Sequence, residues 1–342
     1  MSAIDTSLSE SRSGGNVLSE QEIVARAEAA VEELAAVRAE VSRVIFGQGD
    51  VVERTLVTLL AGGHGLLVGV PGLAKTKLVE TLGTVLGLSS NRVQFTPDLM
   101  PGDILGTEVL EQAEDGKRSF RFVAGPVFTQ LLMADEINRA SPRTQSALLQ
   151  SMQEYHVTVA GQRHDLPRPF HVLATQNPLE QEGTYPLPEA QLDRFLMQID
   201  VDYPDIETER RILMATTGAE EDVAEGVLTP ERLEAIQALV RRMPVSDQVT
   251  NAILDLVRSV RPGTADEETE RQISWGPGPR ASQALMLCVR ARALYQGRLA
   301  PSIDDVKALA EPILQHRMAL AFAARAEGLS VRDVIARHAG AL

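Results

Sequence analysis

One cysteine, one tryptophan and only 4% aromatic residues stand in a chain of 342. A lone cysteine cannot close an internal disulfide, so packing alone must hold the fold, and the count fits a reducing compartment. Cys288 lies in the apolar helical stretch Ala284-Leu285-Met286-Leu287-Cys288-Val289 and reads as a buried structural thiol rather than a reactive one. Long apolar runs are missing too. The nearest, Leu56 to Leu67, is broken by Gly62, Gly63, His64 and Gly65, well short of the roughly 20 residues a spanning helix needs. The opening residues are polar, small and partly acidic, without the basic-then-apolar order of an export signal. These absences set the expectation of a soluble, cytoplasmic protein. Positive charge is also scarce: 33 Lys and Arg against 47 Asp and Glu leave a formal charge of −14. Such a surface disfavours a nucleic-acid partner, because phosphate-backbone binding rests on clustered Lys and Arg. A local basic channel stays compatible with it.

What is present is ordinary globular composition, 44% hydrophobic and 23% charged, in a length comfortable for two domains. Residues 1–18 read as a disordered tail, 19–204 as an α/β domain with hairpin insertions, and 205–342 as an all-α second domain. Ser19 with Glu22 offers a capping box for a first helix to Val44, and a second helix covers Val51 to Ala61. Short apolar runs at 65–69, 92–95, 131–135, 172–175 and 195–201 alternate with helical stretches such as 75–86 and 142–154. That alternation predicts a parallel, doubly wound sheet with helices on both faces. Two hairpins are expected, one around Asp115-Gly116 and one around Gly161. Beyond Pro204 the pattern is helical, punctuated by Gly218, Pro230, Pro244, Pro262, Pro277, Pro301 and Gly328.

The chemistry starts at Gly69-Val70-Pro71-Gly72-Leu73-Ala74-Lys75-Thr76, which follows an apolar strand and opens a helix. Backbone N–H groups of such a loop cradle phosphates, Lys75 reaches their β and γ oxygens, and the Thr76 hydroxyl ligates Mg²⁺. Lys77 follows as a further binding candidate. Ala74 stands where a second glycine is usual; a methyl is tolerable there if φ is negative, and costs roughly 1 kcal/mol if it is positive. Next, Leu131-Leu132-Met133-Ala134-Asp135-Glu136 brings two carboxylates to the end of a buried strand. Asp135 suits Mg²⁺ or its waters, and Glu136 suits a general base on water. Asn177, in Ala174-Thr175-Gln176-Asn177-Pro178, can hydrogen-bond a lytic water and a γ-phosphate, or simply start a turn. Arg194, in Leu192-Asp193-Arg194-Phe195, can be delivered to a neighbouring subunit's nucleotide, or form a surface pair. Arg280, in Gly278-Pro279-Arg280, sits in a first helical turn whose dipole it opposes; it can close over the γ-phosphate of its own chain.

With these elements in order, the chain resembles the AAA+ ATPases and, within them, the MoxR family. The resemblance also covers Gln94-Phe95-Thr96-Pro97-Asp98-Leu99-Met100-Pro101, Ala134 through Ala140, Ala174 through Tyr185 and Glu189 through Phe195, over roughly residues 40–320. It implies an AAA+ P-loop domain followed by a helical lid, with ATP and Mg²⁺ as ligands. Lys75 and Thr76 look like the Walker A pair, Asp135 and Glu136 like Walker B, Asn177 like sensor 1, Arg194 like a trans arginine finger and Arg280 like sensor 2. Val44-Ile45-Phe46-Gly47-Gln48 resembles the stretch that packs on adenine. The family also implies hairpins, about 107–123 and 155–169 here, that face the pore of a hexameric ring. MoxR proteins are thought to remodel, assemble or mature other proteins, often with a partner carrying a von Willebrand factor A domain. Two other functions share the hairpins. One is the motor subunit of a metal chelatase. The other is a nucleic-acid motor using Lys117, Arg118 and Arg121, which the net charge disfavours.

Overall fold

The computed structural model describes residues 20–112, 118–180, 183–217 and 222–342. The expected tail, the Ser19 capping box and the Asp115-Gly116 turn lie outside them. Chain order begins with helices α1 (Glu20–Val44) and α2 (Gly49–Leu60), then strand β1 (Gly65–Val68), α3 (Lys75–Val85), β2 (Ser90–Gln94) and α4 (Pro101–Leu105). A hairpin, β3 (Gly106–Gln112) and β4 (Arg118–Ala124), precedes β5 (Leu131–Asp135) and α5 (Pro142–Glu154). A second hairpin, β6 (His156–Val159) and β7 (Gln162–Asp165), precedes β8 (His171–Gln176), α6 (Glu189–Leu192) and β9 (Met197–Asp200). The helical part holds α7 (Ile206–Thr216), α8 (Pro230–Val240), α9 (Asp247–Ser259), α10 (Glu267–Gln272), α11 (Pro279–Tyr295), α12 (Ile303–Leu314), α13 (Phe322–Ala326) and α14 (Val331–Gly340). It is not purely helical, because β10 (Ile273–Trp275) and β11 (Ala319–Leu320) pair antiparallel within it. Both strands are too short to show as periodicity.

Five strands form one parallel sheet in the order β2-β5-β8-β1-β9. Successive side chains alternate between two cores, as the period of 2 requires. Leu66, Leu132, Ala134, Val172 and Ala174 pack on the face with α5 and Phe95. Leu67, Leu131, Met133, Leu173, Met197 and Ile199 pack on the other, in a core continuous with α1, α2, α8, α9, α11 and α12. The helical region therefore shares a core with one face of the sheet, and Cys288 lies fully buried inside it, its thiol pushed up to about 12 by burial. Leaving β1, the chain crosses to the far edge at β2, while β9 lies on β1's other side. Ligands of open α/β sheets bind at such a switch, outside the carboxyl ends of the strands.

Two buried histidines pin the opposite, amino end. His64 Nδ1 accepts the Val172 N–H at 3.0 Å, so its Nε2 carries the proton and donates to the Met152 carbonyl at 3.1 Å. His171 donates from Nδ1 to the Gly63 carbonyl at 2.8 Å and accepts at Nε2 from the Gln237 amide at 3.0 Å. Burial is the main cause that pushes His64 down to about 3 and His171 to about 4. Both folded pKa values lie below the unfolded value near 6.5, so their contribution is intact above that pH. It is lost as pH falls from there toward the folded values, at about 1.4 kcal/mol per unit per group. Lowering pH from 7 to 5 is expected to remove on the order of 3 kcal/mol by this route. Denaturant midpoints of the wild type and of the double variant His64→Gln, His171→Gln check it. An equally steep acid limb in both would contradict the account.

Candidate functional site

β1 delivers the phosphate-loop candidate. Gly69 follows it directly, and a Cβ there would come within 2.5 Å of the Val201 carbonyl oxygen, so the loop hugs the end of β9 only with glycine at this place. Gly72 has φ +84°, and Ala74, just before α3, has φ +56°. The alanine thus adopts the left-handed conformation, the costlier of the two open to it, at roughly 1 kcal/mol. α3 starts without a side-chain cap, so its first-turn N–H groups, which have no partner inside the helix, are left for the cavity. Lys75 folds back on the loop, donating from Nζ to the carbonyls of Gly69 at 2.6 Å and Val70 at 2.8 Å. Partial burial lowers its pKa, opposed by the charges of Asp135 and Glu136.

The neighbouring strands supply the acids. β5 is buried throughout, and Asp135 at its end is 9% exposed. Thr175 Oγ1, from β8, donates to Asp135 Oδ1 at 2.5 Å and accepts the Glu136 N–H at 2.8 Å. Arg92, from β2, donates to Asp135 Oδ2 from Nη2 at 2.6 Å and Nε at 3.2 Å. Glu136 has φ +55°. Its Oε2 accepts from Gln94 Nε2 at 2.6 Å and from Arg139 Nη1 at 3.0 Å. Asn177 follows β8, and its Oδ1 accepts the Leu179 N–H at 3.1 Å, the turn geometry of the simpler reading, while its amide NH₂ has no partner among the described residues. Lys75, Thr76, Lys77, Asp135, Glu136 and Asn177 line one cavity of about 680 Å³.

A second cavity, of about 320 Å³, adjoins it over Gly72, Leu73, Ala74 and Lys77. Its walls are Val44, Ile45, Phe46 and Gln48 on one side and Pro204, Ile212 and Ala215 on the other. Gln48 donates from Nε2 to the Leu73 carbonyl at 3.2 Å, tying the start of α2 to the loop. Gly47 has φ +67°, and a Cβ would collide with Thr208 of α7. The joined cavities offer an apolar slot suited to a flat base beside a polar chamber suited to phosphates and a hard cation.

Arg194 and Arg280 are elsewhere. β9 runs parallel to β1, with Met197 opposite Gly65 and Asp200 opposite Val68. Arg194 precedes β9, so it sits at the amino edge of the sheet, a strand length of roughly 13 Å from the carboxyl edge where the loop begins. Arg194 and Arg280 line a cavity of about 490 Å³ there, together with His64, Tyr155, Asp193 and Arg317. Arg280 Nη1 lies 3.6 Å from Asp193 Oδ2. Burial, then the like charge of Arg280, lowers the Arg194 pKa, and Arg194 Nε is buried without a hydrogen-bond partner among the described residues. This corrects the expectation that Arg280 closes over its own chain's γ-phosphate. The physical reason is the shared core, which seats α11 beside α2 and holds its first turn against Asp193.

Arg92, Gln94 and Thr175 also line the first cavity, Arg139 bonds Glu136 and Arg317 lines the arginine cavity, and none of the five was a site candidate in the sequence. Gln94, Arg139 and Thr175 lie inside the matched motifs, which was a signal of place without a role. Arg92 and Arg317 carry none, because their partners are 43 and 124 positions away.

The chain has relatives among known proteins. Residues 64–197 match the ATPase family associated with various cellular activities (AAA), and residues 265–337 match the AAA lid domain. Chaperone MoxR1 of Mycobacterium tuberculosis is 43% identical over 304 residues, covering 87% of this chain and 78% of that protein. Protein MoxR of Paracoccus denitrificans is 33% identical over 312 residues, covering 85% and 90%. A crystal structure of a protein from Cytophaga hutchinsonii assigned as an ATPase superposes with a TM-score of 0.85 at 37% identity, covering 93% of this chain and 96% of that one.

Proposed function

The chain belongs to the MoxR family of AAA+ ATPases, and we propose that it is an Mg²⁺-dependent ATP hydrolase that works as an assembly to remodel partner proteins. The supporting observation is the convergence of the loop, Asp135, Glu136 and Asn177 on one cavity, from the carboxyl ends of three adjacent strands. The slot lined by Phe46, Gln48 and Ile212 would take the base of ATP, and Gly47 lets the chain pass Thr208 of α7. Gly69 through Lys77 wrap the phosphates, with Lys75 exchanging its loop carbonyls for phosphate oxygens. Thr76 and Asp135 are the oxygen donors that would hold Mg²⁺, a set that suits a hard cation. When bound, the ion neutralises charge on the β- and γ-phosphates. Arg92 is the counter-ion of Asp135 until that oxygen is needed. Glu136 accepts the proton of the attacking water once Gln94 and Arg139 release its carboxylate, and the Asn177 amide orients that water.

A guanidinium a strand length from its own loop cannot reach its own γ-phosphate, but it can meet the loop of a second copy docked head to tail. Arg194 and Arg280 therefore act as a pair on the adjacent subunit's nucleotide, in a ring that is hexameric as in related proteins. The β3–β4 hairpin, with Phe120 70% exposed, faces the client in the pore. A von Willebrand factor A protein is the expected adaptor, and maturation or metal loading of a third protein the expected outcome. Of the described hairpin cations Arg118 and Arg121, Arg121 already pairs with Glu111 at 2.7 Å, which further disfavours nucleic acid. Lys117 lies outside the described residues. Among the described residues no helix is long and apolar enough to cross a membrane.

Lys75→Ala tests the core of the reading. Nucleotide affinity is expected to fall at least about 100-fold, since a charge-assisted contact to two phosphates is lost. Titration with a fluorescent ATP analogue measures it, and unchanged affinity would remove the cavity from consideration.

A further inference from the structure

A buried arginine outside the nucleotide cavity grips the segment that carries Arg194. Arg317 is 2% exposed and ends a short 3-10 turn, Gln315–Arg317, that follows α12. Its Nε donates to Asp193 Oδ1 at 2.7 Å. Its Nη2 donates to the Phe195 carbonyl at 2.7 Å and, more weakly, to the Asp193 carbonyl at 3.4 Å. Its Nη1 donates to the carbonyls of Leu196 at 3.2 Å and Ile313 at 2.5 Å. The adjacent His316 adds a bond from Nε2 to the Phe195 carbonyl at 3.1 Å. The carboxylate and carbonyls flanking Arg194 are thus held from the helical region. Asp193 also faces Arg280 at 3.6 Å, so one carboxylate, next in the chain to Arg194, joins Arg317 and Arg280.

Stability alone does not call for this arrangement. A buried cation carries a large desolvation cost, and an apolar side chain of similar volume commonly does as well or better. A guanidinium fork does what an apolar side chain cannot, fixing the direction of several oxygens at once. Placement of a catalytic group matters at this scale, because a misplacement of about 1 Å can cost about 100-fold in rate.

We propose that Arg317 is a positioning residue that locks the segment before β9 to the helical region, so that Arg194 and Arg280 reach the neighbouring subunit's nucleotide as one rigid pair. The proposal rests on the reading of Arg194 as acting in trans. It makes any movement of the helical region a movement of the arginine pair.

Mixing experiments separate this role from damage to the fold. Arg317→Met is expected to lower steady-state ATP hydrolysis about 10- to 100-fold with nucleotide binding unchanged. Arg317→Lys should recover part of the loss, because lysine can meet Asp193 but cannot span the Phe195 and Leu196 carbonyls. Equal mixing of Arg317→Met with Lys75→Ala should restore activity at about one quarter of the interfaces, the random share that joins an intact loop to an intact arginine pair. A chain with a damaged fold would not be complemented this way. Arg194→Ala mixed with Lys75→Ala serves as reference. If the reference mixture recovers and the Arg317→Met mixture stays silent, Arg317 does not act through the pair and the proposal is overturned. If the reference itself stays silent, the trans reading fails and takes the proposal with it. Wild-type turnover by Arg317→Met would overturn it directly. Should Arg317→Met not fold, the same mixtures are run with Arg317→Lys.

Discussion

Arg194→Ala is expected to slow ATP hydrolysis about a thousandfold at saturating nucleotide, while affinity for ATP changes less than about threefold. The size follows from what a trans arginine supplies: charge opposite the oxygens that become more negative as the γ-phosphate transfers, in a site that excludes water. The selectivity follows from topology. Arg194 lies a strand length from its own loop, so removing it leaves the cavity formed by Pro71 through Lys77, Asp135 and Glu136 untouched. Parallel steady-state and equilibrium-binding measurements on the purified variant decide the matter. Normal turnover would take Arg194 out of the active assembly. A loss of binding as large as the loss of rate would place its effect on the fold instead.

Glu136→Gln carries the second large effect. The amide has nearly the same volume and can still accept from Arg139 Nη1, now 3.0 Å from Oε2. It cannot take a proton at neutral pH. Hydrolysis should therefore drop by about 100- to 10,000-fold, the range for loss of a general base, with ATP still bound. The signature in solution is a complex that persists: sedimentation with ATP should show assemblies that outlast those of the wild type, and client proteins should remain attached. Rapid turnover by this variant would mean that another group activates the water.

The parts of this protein that could be read from its sequence are those in which neighbouring positions act together. The run Leu131 to Asp135 is apolar at every position before its acid, and a strand buried on both faces needs that pattern. Gly69 through Thr76 is a local loop whose residues are all close in sequence. The fold class and the loop and acid residues around the cavity of about 680 Å³ were legible for this reason. Arg280 was misplaced because its position depends on how α11 packs against α2 and α12, and side-chain pattern along one helix carries no information on where its first turn points. Ala74 was left open because φ is set by the loop's path between β1 and α3. Arg92 and Arg317 were invisible, since each is defined by a partner that only folding brings near.

The parallel sheet has two unlike ends, one with a nucleotide cavity and one with an arginine pair. With Arg194 and Arg280 serving a neighbour's nucleotide, each chain is half of two different sites. An open row of such chains always has one site fewer than it has members, while a closed circle has as many. Closure then adds a whole working site without adding any residue, and a lone chain has none. Specific activity should climb steeply with protein concentration and level off only when circles predominate, so the cell can set ATP consumption by controlling how much of the protein it makes.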